Sequence, residues 1–320
     1  MPVLDMPLKE LKKYKGISPK PHDFDDYWDN GLKAVSALGS EFQITPAEFS
    51  APGVNAFDMY FTGIGGARIY AKYMRPESQK GKAPALLQFH GYSANSGDWL
   101  DKYAYARAGF HIFSMDCRGQ GGRSSDPGGT AGNTLNGHII RGLDGRPEDL
   151  LFRQIFLDTA QLAYIAMDID EIDETRLGVF GGSQGGALTV ACAALVPEIA
   201  KAAPVYPFLS DYRRVWEMDM AERAYRELKD YFRRFDPNHE RENDIFERLG
   251  FIDIQNLSKR IKADVLWACG LMDDVCPPST QFAAYNKIKS KKEMVLFHDY
   301  GHEWLPNFGD MTFQFMKGLL

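Results

Sequence analysis

Residues 177–186 read Leu177-Gly178-Val179-Phe180-Gly181-Gly182-Ser183-Gln184-Gly185-Gly186. A short apolar run enters a G-x-S-x-G pattern, and an alanine-rich helical run, 185–195, leaves it. The five-residue pattern is weak alone. Its place between a strand and a helix gives it meaning, because a sharp strand–turn–helix connection presents the serine hydroxyl above a sheet. Such a turn strains the serine backbone, and a side chain at position 181 or 185 would strike the strand and helix that meet there. Ser183 is therefore a candidate nucleophile. The competing reading is a glycine-rich turn with a bystander serine.

Similar runs flank this one. Residues 85–89, 111–115, 265–268 and 294–297 are short and almost continuously apolar. Such runs suit strands buried on both faces of a parallel sheet. Helical patterns at 99–108, 150–169, 185–195 and 279–289 lie between them. The alternation implies βαβ units. With the serine elbow, it predicts an α/β-hydrolase fold: a mostly parallel, doubly wound sheet with helices on both faces. Alternating runs at 42–44, 59–61 and 68–74 read as antiparallel strands at the sheet edge.

The remainder attaches to this single domain over 1–320. Leu8, Leu11 and Tyr14, then Phe24, Tyr27 and Trp28, recur at helical spacing and predict an N-terminal helical extension over 1–40. The segment 121–147 is rich in Gly, Asp, Asn and Ser, and a loop that long reads as functional or interfacial. Residues 209–252 read as a charged helical insertion covering one end of the sheet. Their arginines (213, 214, 223, 226, 233 and 234) suit a solvated or interface face better than a ligand site.

Composition narrows the function classes. Hydrophobic residues make up 44% and charged residues 25% of the 320, ordinary for a globular protein that needs no disulfide or metal to fold. A net charge of −6 argues against nucleic acid or an anionic membrane as partner. No window approaches the roughly 18 apolar residues of a membrane helix, and the start lacks a signal-peptide pattern. Cys117, Cys192, Cys269 and Cys276 form no C-x-x-C pair and read as buried reduced thiols. The expectation is a cytoplasmic protein. No H-E-x-x-H pair and no phosphate-binding glycine loop is present, so neither metal nor cofactor is expected.

A serine hydroxyl needs a general base, and the base needs an orienting carboxylate. In this fold they follow the serine in the order acid, then histidine. His298 ends the 294–297 run, whereas His302 lies in the loop past it, where the site should be. His302 is chosen; His298 reads as structural, and His239 lies within the insertion. Asp273 and Asp274 both follow the 265–268 run. Asp273 is favoured by its spacing of three residues after Gly270 and four before Pro277. Two N–H donors should face the developing oxyanion: that of Gln184, next to the nucleophile, and that of Tyr92, after the 85–89 run. Tyr92, Phe208 and Val275 are the candidates for limiting the acyl group.

Beyond these positions, the chain resembles the acetyl xylan esterase and cephalosporin C deacetylase family, the seventh carbohydrate esterase family. The resemblance rests on Phe89-His90-Gly91-Tyr92 with Asp98-Trp99, Arg118-Gly119-Gln120-Gly121, Gly181 to Gly186, Gly270-Leu271-Met272-Asp273 with Cys276-Pro277-Pro278, and Gly301-His302-Glu303. It also covers Pro7-Leu8-Lys9-Glu10-Leu11 and Asp23-Phe24-Asp25-Asp26-Tyr27-Trp28 near the N-terminus. It implies a Ser183–Asp273–His302 triad, oxyanion amides from Tyr92 and Gln184, and deacetylation of xylo-oligosaccharides and cephalosporin C. A cofactor-free cytoplasmic homohexamer is implied too, with the 121–147 loop between subunits and perhydrolysis as a side activity. The rival readings are a broad short-chain carboxylesterase, a peptidase-like hydrolase of the same fold, and a catalytically silent scaffold.

Overall fold

A computed structural model describes residues 4–127 and 133–320. The tip of the 121–147 loop, residues 128–132, and residues 1–3 of the N-terminal extension lie outside the described residues. The strands are β1 (Phe42–Pro46), β2 (Val54–Gly63), β3 (Ala67–Pro76), β4 (Ala83–Phe89), β5 (His111–Met115), β6 (Ile172–Gly182), β7 (Lys201–Val205), β8 (Asp264–Gly270) and β9 (Lys292–Phe297). The helices are α1 (Leu8–Leu11), α2 (Phe24–Ser36), α3 (Leu100–Ala108), α4 (Leu151–Met167), α5 (Gln184–Leu195), α6 (Tyr212–Glu217), α7 (Arg226–Phe235), α8 (Glu242–Phe251), α9 (Ile254–Leu257), α10 (Pro278–Tyr285) and α11 (Phe308–Lys317).

The strands form one sheet in the order β1-β2-β3-β5-β4-β6-β7-β8-β9. The first three joins, β1–β2, β2–β3 and β3–β5, are antiparallel. All joins from β5 to β9 are parallel. This is the mostly parallel α/β-hydrolase sheet that the alternating runs predict. Successive strand residues point to opposite faces. Ala85, Leu87 and Phe89 of β4 join the cluster containing α4 and α5, whereas Leu86 joins Ala106, Phe110 and Met316 on the other face.

β7 is a strand that the apolar-run pattern does not reveal. It contains Pro204, and proline in a central strand normally argues against strand. The structure tolerates it because the β7–β8 pairing runs through Lys201, Ala202 and Val205 and skips Pro204. α11 is likewise absent from the expectation, and it covers β8 on the second face. The 279–289 pattern ends as a helix at Tyr285. Lys292 Nζ then binds the Tyr285 and Ile288 carbonyls at 2.7 and 2.8 Å, closing the chain toward β9.

Among its described residues the N-terminal extension is helical in α1 and α2; Tyr14 lies beyond α1 despite its helical spacing. The Tyr14 hydroxyl donates instead to Asp211 at 2.7 Å, and the same carboxylate accepts the Ile17 and Ser18 N–H groups. Trp28 of α2 stacks on Phe156 of α4 and donates to the Phe251 carbonyl at 3.0 Å. The extension is thereby fastened to the insertion, whose α6, α7 and α8 lie over the C-terminal edge of the parallel strands.

Arg118 of the R-G-Q run crosses to α4 and binds Asp158 through two bonds of 2.7 Å, both partners buried. A buried charge that loses its partner is costly. Arg118→Ala is expected to destabilise the fold by about 3–5 kcal/mol, read as a lowered urea midpoint. Arg118→Met combined with Asp158→Leu should recover most of that loss, because neither charge is then left alone.

Candidate active site

Ser183 sits where β6 turns into α5. Its backbone has φ 57° and ψ −118°, a strained conformation for a residue with a side chain. The glycines around it are sterically required. A Cβ on Gly185 would lie 2.1 Å from the Phe89 carbonyl oxygen, and one on Gly181 would lie 2.5 Å from the same atom. The neighbouring strand therefore packs directly against the turn. Val205 O accepts the Ser183 N–H at 3.0 Å, and Ser183 O accepts from Ala187 and Phe208, each at 3.0 Å. Backbone bonds fix the turn and leave the hydroxyl free for other work.

The loops after β8 and β9 bring the other two residues to it. His302 Nε2 is 3.0 Å from Ser183 Oγ, and His302 Nδ1 is 2.9 Å from Asp273 Oδ2. The Asp273 contact places the imidazole proton on Nδ1, so Nε2 offers its lone pair to the serine. Asp273 is fully buried. Its Oδ1 accepts the Val275 and Cys276 N–H groups at 2.9 and 2.7 Å. Asp274 points away: it is exposed and pairs with Arg223 at 3.3 Å. His298 is exposed, and His239 bonds Glu242 within the insertion. The structure thus joins Ser183, His302 and Asp273, and leaves His298, His239 and Asp274 outside.

Tyr92 follows β4 and Gln184 opens α5, so both backbone N–H groups lie beside the serine turn. Neither donates to a described residue. The Gln184 N–H belongs to the first turn of a twelve-residue helix, where backbone N–H groups and the helix dipole favour negative charge. Phe208 is fully buried, packs edge-on to Tyr92 at 5.5 Å between centroids, and donates its N–H to Ser183 O. Val275 is buried beside Asp273.

The sequence profile of the acetyl xylan esterase family matches residues 1–319. The chain belongs to the acetyl xylan esterase family. Acetyl esterase Axe7A of Xylanibacter ruminicola is 28% identical over 319 residues, 92% of this chain and 69% of that protein. The crystal structure of acetyl xylan esterase 1 from a Thermoanaerobacterium species is 57% identical, with a TM-score of 0.95 and 99% of each chain covered. The acetyl xylan esterase from Paenibacillus sp. R4 is 35% identical with a TM-score of 0.92, covering 98% of this chain and 100% of that one.

Several contacts at this acetyl xylan esterase family site escape motif reading. Gln120 exchanges amide hydrogen bonds with the Gln184 side chain at 2.8 and 3.0 Å, and its Oε1 accepts the Ser93 N–H at 3.0 Å. The glutamine of the R-G-Q run therefore braces the Tyr92 loop against the serine turn. Tyr206 lies 4.6 Å from His302 between ring centroids. Tyr92 donates its hydroxyl to Glu227 of α7. Glu227 is visible in the sequence only as a carboxylate among Leu228, Tyr231 and Phe232, the buried stripe of that helix.

Cys276 is fully buried beside Ser183, and burial holds its thiol well above the ordinary value. It stays protonated and is no competing nucleophile. Asp273, Cys276 and His302 present ligand atoms within 4.8 Å of one another. Hydrogen bonds to each other, to Ser183 Oγ and to the loop backbone already occupy the Asp273 and His302 atoms.

Proposed function

We propose that this chain is a serine esterase that removes O-acetyl groups from acetylated xylo-oligosaccharides and related small acetyl esters, cephalosporin C among them. The observation that carries the reading is the continuous Asp273–His302–Ser183 hydrogen-bond chain at a glycine-bound elbow, in a member of the acetyl xylan esterase family. His302 Nε2 takes the Ser183 proton as Oγ attacks the acetyl carbonyl carbon. The carbonyl π pair moves onto oxygen, facing the Tyr92 and Gln184 N–H groups. Collapse breaks the bond to the sugar oxygen, which leaves with the proton from His302. Asp273 holds the imidazole in its required tautomer and stabilises its charged form. Water then repeats the attack on the acetyl-enzyme, releasing acetate and restoring Ser183.

Phe208 and Val275, buried beside the elbow with Tyr92, support a pocket sized for acetyl. Activity on p-nitrophenyl esters is expected to fall by at least about 100-fold in kcat/KM from acetate to octanoate, since each methylene that finds no room costs binding in the transition state. Equal rates would replace this reading by a broad carboxylesterase. The rates on acetylated xylo-oligosaccharide, glucose pentaacetate and cephalosporin C then rank the substrates.

The reading extends to a cytoplasmic homohexamer. Exposed Phe42 and Ile44 on β1, an edge strand exposed along its whole length, support self-association. Light scattering on the eluting protein measures the subunit number. No helix among the described residues is long and apolar enough to cross a membrane.

A further inference from the structure

The donor loop at Tyr92 is held at its backbone by one set of bonds and at its side chain by another. Gly91 before it has open space around its Cα, and Ser93 after it adopts a left-handed backbone with φ 60°. At the backbone, the Ala94 N–H donates to the Gly91 carbonyl at 3.2 Å, Gln120 Oε1 accepts the Ser93 N–H at 3.0 Å, and Ser93 Oγ donates to the Leu135 carbonyl. The Tyr92 side chain is anchored by the insertion. Glu227 Oε1 accepts the Tyr92 hydroxyl, and Oε2 accepts the Ile139 and Ile140 N–H groups at 2.8 and 3.1 Å. The Tyr92 oxygen also accepts the His138 N–H at 3.3 Å, and the His138 ring lies edge-on to Tyr92 at 5.0 Å.

Glu227 is buried, and no ion pair forms to it among the described residues. A carboxylate desolvated without a cation is costly to keep, and three neutral donors converge on this one. We propose that Glu227 is a positioning residue for the oxyanion site: it fixes the Tyr92 phenol and the 138–140 turn together, and so sets where the Tyr92 N–H points. The insertion is then part of the reaction geometry as well as a cover over the sheet edge. Burial pushes Glu227 up to about 6, so it is ionised above neutral pH and accepts on both oxygens. An amide at this place has one acceptor oxygen and must turn an NH2 group toward one of the donors.

The inference rests on the deacetylase reading, which wild-type turnover of p-nitrophenyl acetate and its loss in Ser183→Ala test separately. The experiment compares Glu227→Gln, Tyr92→Phe and the double variant on that ester, with circular dichroism to confirm folding. Each single change is expected to lower kcat by roughly 10- to 100-fold with KM within about twofold, as misplacement of a transition-state donor should. The double variant should be no slower than the slower single one, because both break one linkage. Single variants that keep wild-type kcat, effects that multiply in the double variant, or a loss confined to KM would overturn the proposal. Should Glu227→Gln fail to fold, Tyr92→Phe decides alone: a fall in kcat at unchanged KM supports the linkage, and an unchanged kcat overturns it.

Discussion

Replacing Ser183 by alanine is expected to lower kcat on p-nitrophenyl acetate by roughly 10⁶-fold, the scale on which a serine hydrolase loses its nucleophile. The structure makes this a clean test. The Ser183 side chain contacts the base through Oγ alone, while the turn is held by backbone bonds to Val205, Ala187 and Phe208. Alanine keeps those bonds and carries the same Cβ, so it meets the same strain at φ 57° that serine already tolerates. The thermal midpoint should therefore stay close to that of the wild type. Residual activity should remain above the rate in water, because N–H donors and substrate binding still act. Steady-state hydrolysis with a parallel melting curve measures both halves. A variant that keeps more than a tenth of wild-type kcat would remove Ser183 from the mechanism.

Asp273→Asn is expected to cost about 10⁴-fold in kcat with little change in fold, the size of effect seen when the triad carboxylate becomes an amide. The reason is local. Asp273 accepts on both oxygens, from His302 Nδ1 on one side and from the Val275 and Cys276 N–H groups on the other. Asparagine has a single acceptor oxygen. If that oxygen faces the loop amides, the NH2 group faces His302 and favours the tautomer with its proton on Nε2, which cannot receive the serine proton. If it faces His302, two buried N–H donors meet an NH2 group. Asp274→Asn is the control. That residue is exposed and bonded to Arg223 across the surface, and its loss should change kcat by less than about twofold. Comparable losses in the two variants would mean that the acid has been misassigned.

The parts of this molecule that are legible in the sequence are those whose constraints are local. Gly181 and Gly185 are needed because a single neighbouring carbonyl, that of Phe89, leaves no room for a Cβ. The 111–115 run forms β5 over the same five residues, because a strand buried on both faces writes its burial into every position. Asp273 and Asp274 differ only in which way the loop turns, yet spacing from Gly270 selects the buried one. A Cβ on Gly270 would lie 2.5 Å from Tyr300 O, so this glycine brings the acid and histidine loops together.

What the sequence conceals depends on distant partners. Pro204 hides β7, because only the interrupted pairing with β8 shows that a missing N–H does no harm there. Tyr14 keeps helical spacing with Leu11, but Asp211, almost two hundred positions away, captures its hydroxyl. Glu227 looks like one charge among many in 209–252. Its burial and its contact with Tyr92 arise only when the insertion folds back over the sheet edge. Gln120 carries a recognisable family signature, but its bracing of the Tyr92 loop against the serine turn is a tertiary fact.

The central claim is that Ser183 carries the acetyl group between the two half-reactions. Acid quenching during turnover of p-nitrophenyl acetate, followed by mass spectrometry of the proteolysed chain, tests it directly. The account predicts one added acetyl group on the peptide containing Ser183 in the wild type, its much slower appearance in His302→Gln, and none in Ser183→Ala. Acetate release at the wild-type rate with that peptide unmodified, or an acetyl group on any other residue that is lost as acetate forms, would contradict it.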